Sequence, residues 1–223
     1  MPDLEAIRNS LNQYTTSSGA AQFFRDLGYP VLQTPLPYDD VLKEMSPRAQ
    51  EAVQSLNQIF QSDGEPPFRI FHAELRHSSI RRTDIRYFLE AFYRRYPQGE
   101  NLFVFSPTDH YDDLAFVSPW RLPDPRDPQK VRLWLRILQV RRDQPYRTDL
   151  EVLEHIRADD LRDPQAIWER HKEAFSIQRV TEQFFQDYSR VFREVQNVLG
   201  RSHQENGPDW ARDYAHQVLN RIM

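Results

Sequence analysis

The chain of 223 residues contains no cysteine, which excludes disulfides, cysteine-ligated zinc and thiol catalysis together. Glycine is scarce, with six in all, while 13% of the residues are aromatic, a balance that argues against disorder. Lysine is nearly missing as well, occurring only at Lys43, Lys130 and Lys172. Almost all the positive charge is therefore arginine, whose planar fork grips phosphates and carboxylates, although a GC-rich coding bias produces the same excess. No basic segment followed by an apolar one opens the chain, and no apolar run approaches bilayer length, so the expectation is a cytoplasmic protein with no membrane partner. The net charge of -4 excludes a uniformly basic nucleic-acid binder and leaves room for a local basic face.

What is present reads as three zones. At the start, Leu4, Ile7, Leu11 and Tyr14 have helical spacing, Ala20 to Leu27 continue as a second helix up to Gly28, and a proline-rich connector runs from Pro30 to Pro37. Ser46-Pro47 is a helix start, and Ala49, Val53, Leu56 and Phe60 then predict one helix closed by Asp63-Gly64. In the middle, Phe68 to Leu75 predicts a strand, Arg81 to Tyr96 a helix, and Asn101 to Phe105 a strand parallel to the first. Leu114 to Ser118 and Val131 to Val140 add an antiparallel pair around the proline-rich turn at 123 to 128. From Thr148 onward the pattern is helical: 148 to 156, 164 to 174, 177 to 199, and a final helix with Trp210, Tyr214, Val218 and Ile222 on one face. That pattern is still running at Met223, with no stop signal after it, so the expectation is the front part of a longer protein.

Arg81, Arg82, Arg86, Arg94 and Arg95 share one helix, with Arg82, Arg86 and Arg94 on a stripe around Glu90. The stripe reads either as a phosphate-contacting ridge or as a solvated face laced by Arg-Glu pairs at four-residue spacing. Arg141 and Arg142, with Arg147 beside Tyr146, form a second basic candidate. Asp109-His-Tyr-Asp-Asp113 holds metal-compatible side chains in a hairpin loop where Asp and His are also common for turn reasons, and no metal site is assigned to it. Glu65-Pro-Pro-Phe68 reads as a linker whose prolines block helix continuation.

Several segments together resemble the amino-terminal region of large adenine-specific DNA methyltransferases of the Type IIG restriction-modification kind. They are Phe23-Phe-Arg-Asp-Leu-Gly-Tyr-Pro30, Phe68 to Leu75, Asn101-Leu-Phe-Val-Phe-Ser with Leu114-Ala-Phe-Val-Ser, Tyr146 to Leu153, and above all Ala174 to Tyr188, with Val218-Leu-Asn-Arg-Ile-Met as a lead-in to the catalytic domain. The resemblance implies a parent protein that methylates adenine in duplex DNA with S-adenosylmethionine, has a methyltransferase domain downstream, and in some members carries a nuclease that uses Mg2+. The chain has no Asn-Pro-Pro-aromatic loop after a strand and no glycine-bearing methyl-donor loop, so no cofactor is assigned to these residues and the fragment alone is expected to be inactive.

The order of elements also resembles the restriction-endonuclease fold. There, Glu74-Leu-Arg76 would stand where a Glu-x-Lys pair holds Mg2+, and Asp40 or Asp39 would supply the upstream acid. Arg76 cannot give up a proton at working pH, so the site reads as degenerate, and the plainer role for Glu74 is a carboxylate paired with Arg76, Arg81 or Arg82. The expectation is thus an α/β domain over residues 1 to 145, with a mixed sheet of about four strands, then a helical connector over 146 to 223. Its leading function is an accessory module that contacts DNA or positions a catalytic domain; the alternatives are a protein-interaction scaffold and a metal-dependent endonuclease.

Overall fold

A computed structural model describes residues 4–32, 34–108, 110–158, 163–203 and 207–222, and within them all side chains except those of 128–130, 177–187, 208 and 220–222. Contacts divide the chain into two units, residues 1–176 and 177–223. The first is built on a six-stranded mixed sheet whose spatial order follows the chain: β1 (Leu36–Pro37), β2 (Val53–Gln61), β3 (Phe68–Leu75), β4 (Glu100–Pro107), β5 (Asp113–Asp124) and β6 (Asp127–Arg141). β3 and β4 are parallel and every other neighbouring pair is antiparallel. The parallel pair needs a crossover, and helix α5 (Arg82–Arg95) provides it.

Side-chain alternation along the central strands feeds two cores, one on each face of the sheet. On β3, Phe68 and Ile70 point to one face and Phe71, Ala73 and Leu75 to the other. The first face is covered by α1 (Leu4–Asn12), α2 (Ser17–Asp26), α6 (Arg147–His155) and the first turns of α7 (Pro164–Ser202), through Ile7, Phe23, Leu153 and Phe175. The second is covered by α3 (Asp39–Lys43), α4 (Pro47–Ala52) and α5, whose Ile85, Phe88, Leu89 and Phe92 meet Phe71 and Phe103. Phe71 and Phe103 stack across the parallel pair at 5.1 Å, and each such fully buried ring contributes roughly 1.5–3 kcal/mol over an exposed one. Local signals agree with these elements. Thr16 caps α2 by accepting from the Gly19 N–H at 3.0 Å, and Gly28, at φ +86°, takes the left-handed conformation just beyond its end.

The sheet is wider than the four strands expected. The helix predicted from Ser46 to Gly64 stops at Ala52, and Val53 to Gln61 form β2. Register shifts between Val53 and Ser55 and between Gln58 and Phe60 break the alternation of this strand. Val53 and Leu56 therefore face one core and Phe60 the other, at spacings that imitate a helix. The proline-rich connector also contributes a strand, β1. A boundary near residue 145 was expected from the change of period, but α6 and the start of α7 bury Leu150, Leu153, Ile167 and Phe175 in the same core as α1 and α2, and the contact division falls after Ser176. The helices expected at 164 to 174 and 177 to 199 form one element, α7.

In the second unit, α8 (Gly207–Ile222) buries Ala211, Ala215 and Leu219, while Tyr214 is exposed and the side chain of Ile222 lies outside the described residues. The inward face is thus one residue away from the expected stripe. Val180 and Phe184, also expected inside, lie among the undescribed side chains. No helix among the described residues is long and apolar enough to cross a membrane.

Candidate functional site

The carboxyl ends of parallel strands are where open α/β sheets gather polar groups, and the parallel pair here ends in a partly buried polar cluster. Glu74 on β3 stands opposite Ser106 on β4. One Glu74 oxygen accepts from the Ser55 hydroxyl of β2 at 2.9 Å, and the other accepts from the Tyr111 hydroxyl in the β4–β5 connection. Two residues earlier on the same face, His72 has its Nε2 3.0 Å from Ser106 Oγ and its ring stacked on Tyr111 with centroids 5.6 Å apart. Tyr14, just after α1, packs edge-on against His72 at 5.8 Å and approaches Tyr111 at 6.1 Å.

Burial governs the titration of this cluster. His72 is fully buried, and desolvation lowers its pKa to about 4 against a smaller opposing pull from the Glu74 charge, so its ring is neutral near pH 7. Tyr111 is raised by desolvation and by its bond to Glu74, and Tyr14 is raised well above the ordinary phenol value by burial. Among the described residues, Tyr14 Oη and His72 Nδ1 have no hydrogen-bond partner. A second buried histidine, His171 on α7, lies 2.7 Å from the Tyr29 hydroxyl, which donates to the Ile156 carbonyl at 2.5 Å. With its only proton used there, the Tyr29 oxygen accepts from His171, which fixes the Nε2-protonated tautomer. Burial first, and the nearby Arg170 second, lower the His171 pKa to about 3.

The expected catalytic set is not assembled. Asp40 lies on α3 with its side chain 94% exposed, bonded to Lys43 at 3.0 Å, and no hydrogen bond or ion pair among the described residues links it to Glu74. Arg76 turns away, its Nε donating to the Gln50 carbonyl at 2.7 Å. Glu74 is paired with hydroxyls, in place of the arginines Arg76, Arg81 or Arg82 suggested by spacing. Mg2+ favours several carboxylate or carbonyl oxygens free to turn toward it, and the described residues contain no group of three His, Asp or Glu side chains able to hold a metal. As placed, both Glu74 oxygens are engaged by hydroxyls and Asp40 is turned to Lys43, so neither is set out as a Mg2+ ligand. In the 109–113 segment, His110 contacts the Ser78 carbonyl at 3.2 Å and Asp112 pairs with Arg142, while Asp109 lies outside the described residues.

The arginines divide sharply. Arg142 is internal bracing: its guanidinium donates to the Tyr111 carbonyl at 3.2 Å, the Asn12 carbonyl at 2.6 Å and Asp112 at 3.1 Å, with only 19% of the side chain exposed. Arg141 is exposed and lies 3.8 Å from Asp143. On α5, Arg86 meets Glu90 at 3.7 Å, and Arg95 grips Glu44 at 3.0 Å. Arg81, Arg82 and Arg94 are exposed and have no ion-pair partner among the described residues. Arg48 of α4 lies over the Tyr87 ring at 4.6 Å, adding a cation beside the α5 surface.

Sequence spacing left out His72, on the same strand as Glu74, and Tyr14, Ser55, Ser106 and Tyr111, which four other segments bring to the cluster. The usable signal was the pair of polar residues, His72 and Ser106, interrupting apolar runs that form adjacent strands. No family model, curated protein or solved structure matches the chain.

Proposed function

We propose that this chain is an accessory module of a DNA adenine methyltransferase or restriction-modification protein, contacting duplex DNA and positioning a catalytic domain without cutting DNA itself. One observation carries the reading: α5 buries Ile85, Phe88, Leu89 and Phe92 on one side and presents Arg82, Arg86 and Arg94 along another, with only Arg86 ion-paired among the described residues. Arginines held on a rigid helix one turn and then two turns apart, with Glu90 between the last two, suit the phosphates of a duplex, and such contacts make affinity fall with salt. The nuclease-like part of the reading rests on the strand, helix, strand unit with Glu74 at the end of β3; its carboxylate has become a structural acceptor. Support for a positioning role comes from the second unit, where Val198 is 63% and Tyr214 44% exposed, apolar area that contact with another domain would cover. S-adenosylmethionine, and Mg2+ if a nuclease accompanies it, belong to the parent protein in this reading.

The test is fluorescence anisotropy with a labelled 30-base-pair duplex across a salt series. The wild-type chain binds at low salt with a log–log slope of about -2 to -3, as two or three phosphate contacts require. Arg82→Glu with Arg86→Glu lowers affinity at least tenfold while leaving the melting temperature in place. Absence of salt-dependent binding, or binding indifferent to the reversal, would overturn the reading.

A further inference from the structure

The outer strand, β6, carries a second surface. It is last in the sheet, so its outer edge pairs with no strand among the described residues. Between Pro128 and Arg142 the sequence places Lys130, Arg132, Arg136, Arg141 and Arg142 with no Asp or Glu, in a chain whose net charge is -4. Arg142 is committed to internal bracing, Arg141 lies 3.8 Å from Asp143 and the Lys130 side chain lies outside the described residues, which leaves Arg132 and Arg136 as the cations set over indole rings.

Far along the β5–β6 hairpin, Trp120 pairs with Trp134, Leu122 with Arg132 and Ser118 with Arg136. Strand alternation puts Arg132, Trp134 and Arg136 on the same face, shared with Leu138 and Val140 of the first core. There the guanidinium of Arg132 lies over the Trp134 ring at 5.1 Å, that of Arg136 lies over Trp120 at 4.8 Å, and Lys172 of α7 lies over Trp168 at 5.8 Å. Trp120 and Trp168 meet edge to face at 6.4 Å, with Trp168 buried in the first core and Trp120 packed against it, so the Trp134 ring is the part of this group open to a ligand. Trp134 is 40% and Val131 70% exposed.

We infer that this face of the hairpin binds single-stranded nucleic acid. Cations interleaved with indole rings match a strand whose phosphates and unpaired bases are both accessible: arginine meets the backbone while a base stacks on the exposed Trp134 ring or its guanidinium partner. A duplex offers the phosphates but keeps its base faces stacked inside, so it leaves the indoles unused. A second copy of this chain, adding its β6 to the open edge, brings like-charged arginines together across the new pairing, which cross-strand pairing disfavours. The surface is separate from the proposed duplex contact, because α5 packs on the second core and this hairpin face belongs to the first.

The test uses the full chain and a labelled 20-nucleotide oligothymidylate, with the 30-base-pair duplex measured in parallel. The wild type binds the oligonucleotide; Trp134→Ala weakens that binding about tenfold or more, Trp134→Phe restores most of it, and Arg132→Ala with Arg136→Ala makes the salt slope shallower by about 1.4. Arg82→Glu with Arg86→Glu weakens duplex binding and keeps oligonucleotide binding within about threefold, which separates failure of one surface from failure of the other. No oligonucleotide binding, or equal binding by wild type and Trp134→Ala, overturns the inference. Self-association abolished by Trp134→Ala, with no oligonucleotide bound, assigns the face to contact between copies instead.

Discussion

The end of the parallel pair β3–β4 and the open edge at β6 both hold charged and aromatic side chains, but they are used in opposite ways. At the strand ends, Glu74, Tyr111, Ser55, His72 and Ser106 bond to one another, and Arg142 clamps the connection that carries Tyr111. Along β6, Arg132 and Trp134 meet each other and then water. A partly buried polar group left unpaired costs about 1–3 kcal/mol, so the bonds to Glu74 and between His72 and Ser106 hold the inner cluster together around the unbonded Tyr14 Oη and His72 Nδ1, whereas the outer residues cost little to leave available. Motif spacing offered Glu74 as a degenerate catalytic carboxylate or a structural one; its partners here are hydroxyls, while the proposed contact with DNA rests on the arginines of α5.

The comparison breaks most visibly in acid. His72 and His171 titrate at about 4 and about 3 when folded, below the ordinary 6.5. Between those values the unfolded chain binds protons that the folded chain refuses, so stability is undiminished above pH 6.5 and declines as pH falls toward 4 and then 3. The combined loss is on the order of several kcal/mol, read from denaturant midpoints at pH 7, 5 and 4. His72→Asn, which keeps a hydrogen bond to Ser106 and cannot titrate, removes about one proton from the slope. A flat profile would show that the inner cluster is open to water.

Removing the clamp comes next. Arg142→Ala deletes three charge-assisted hydrogen bonds and leaves the Asn12 and Tyr111 carbonyls without that donor, an expected loss of about 2–3 kcal/mol in thermal or denaturant unfolding. If duplex affinity fell more than stability, Arg142 would belong with the outer surfaces after all.

A smaller change sharpens the contrast at its centre. Glu74→Gln keeps a hydrogen-bonding group for Ser55 and Tyr111 while discarding the charge, and costs about 1 kcal/mol. The Tyr111 phenol, held up by burial and then by Glu74, moves down toward its ordinary value, visible in an ultraviolet pH titration. Duplex binding is unchanged. Mg2+-dependent nicking by the wild type, lost in this variant, would contradict the structural role of the carboxylate.

Much of the fold was legible because two periods do not mix within its central elements. Ile85, Phe88, Leu89 and Phe92 have helical spacing between two apolar runs, and that predicted the parallel unit around α5. β2 was misread because its irregular register sends Val53 and Phe60 to opposite cores at spacings a helix also makes. The site was less legible for a different reason. Glu74 could be picked out by its place at the end of a strand, but the hydroxyls that bond it come from positions 55 and 111, and nothing in a linear pattern announces which hydroxyls will face it. Arg142 shows the same limit: a basic doublet looks like a binding patch until the carbonyl of Asn12, far away in the chain, is found bonded to it.

The most direct test of the central claim, that exposed arginines on α5 contact DNA while the inner carboxylate cluster only supports the fold, is duplex affinity against salt for the wild type, the Arg82→Glu/Arg86→Glu pair and Glu74→Gln. The account predicts steep salt-dependent binding that the arginine reversal lowers at least tenfold and Glu74→Gln leaves alone. Binding lost with Glu74 and kept without the arginines would contradict it.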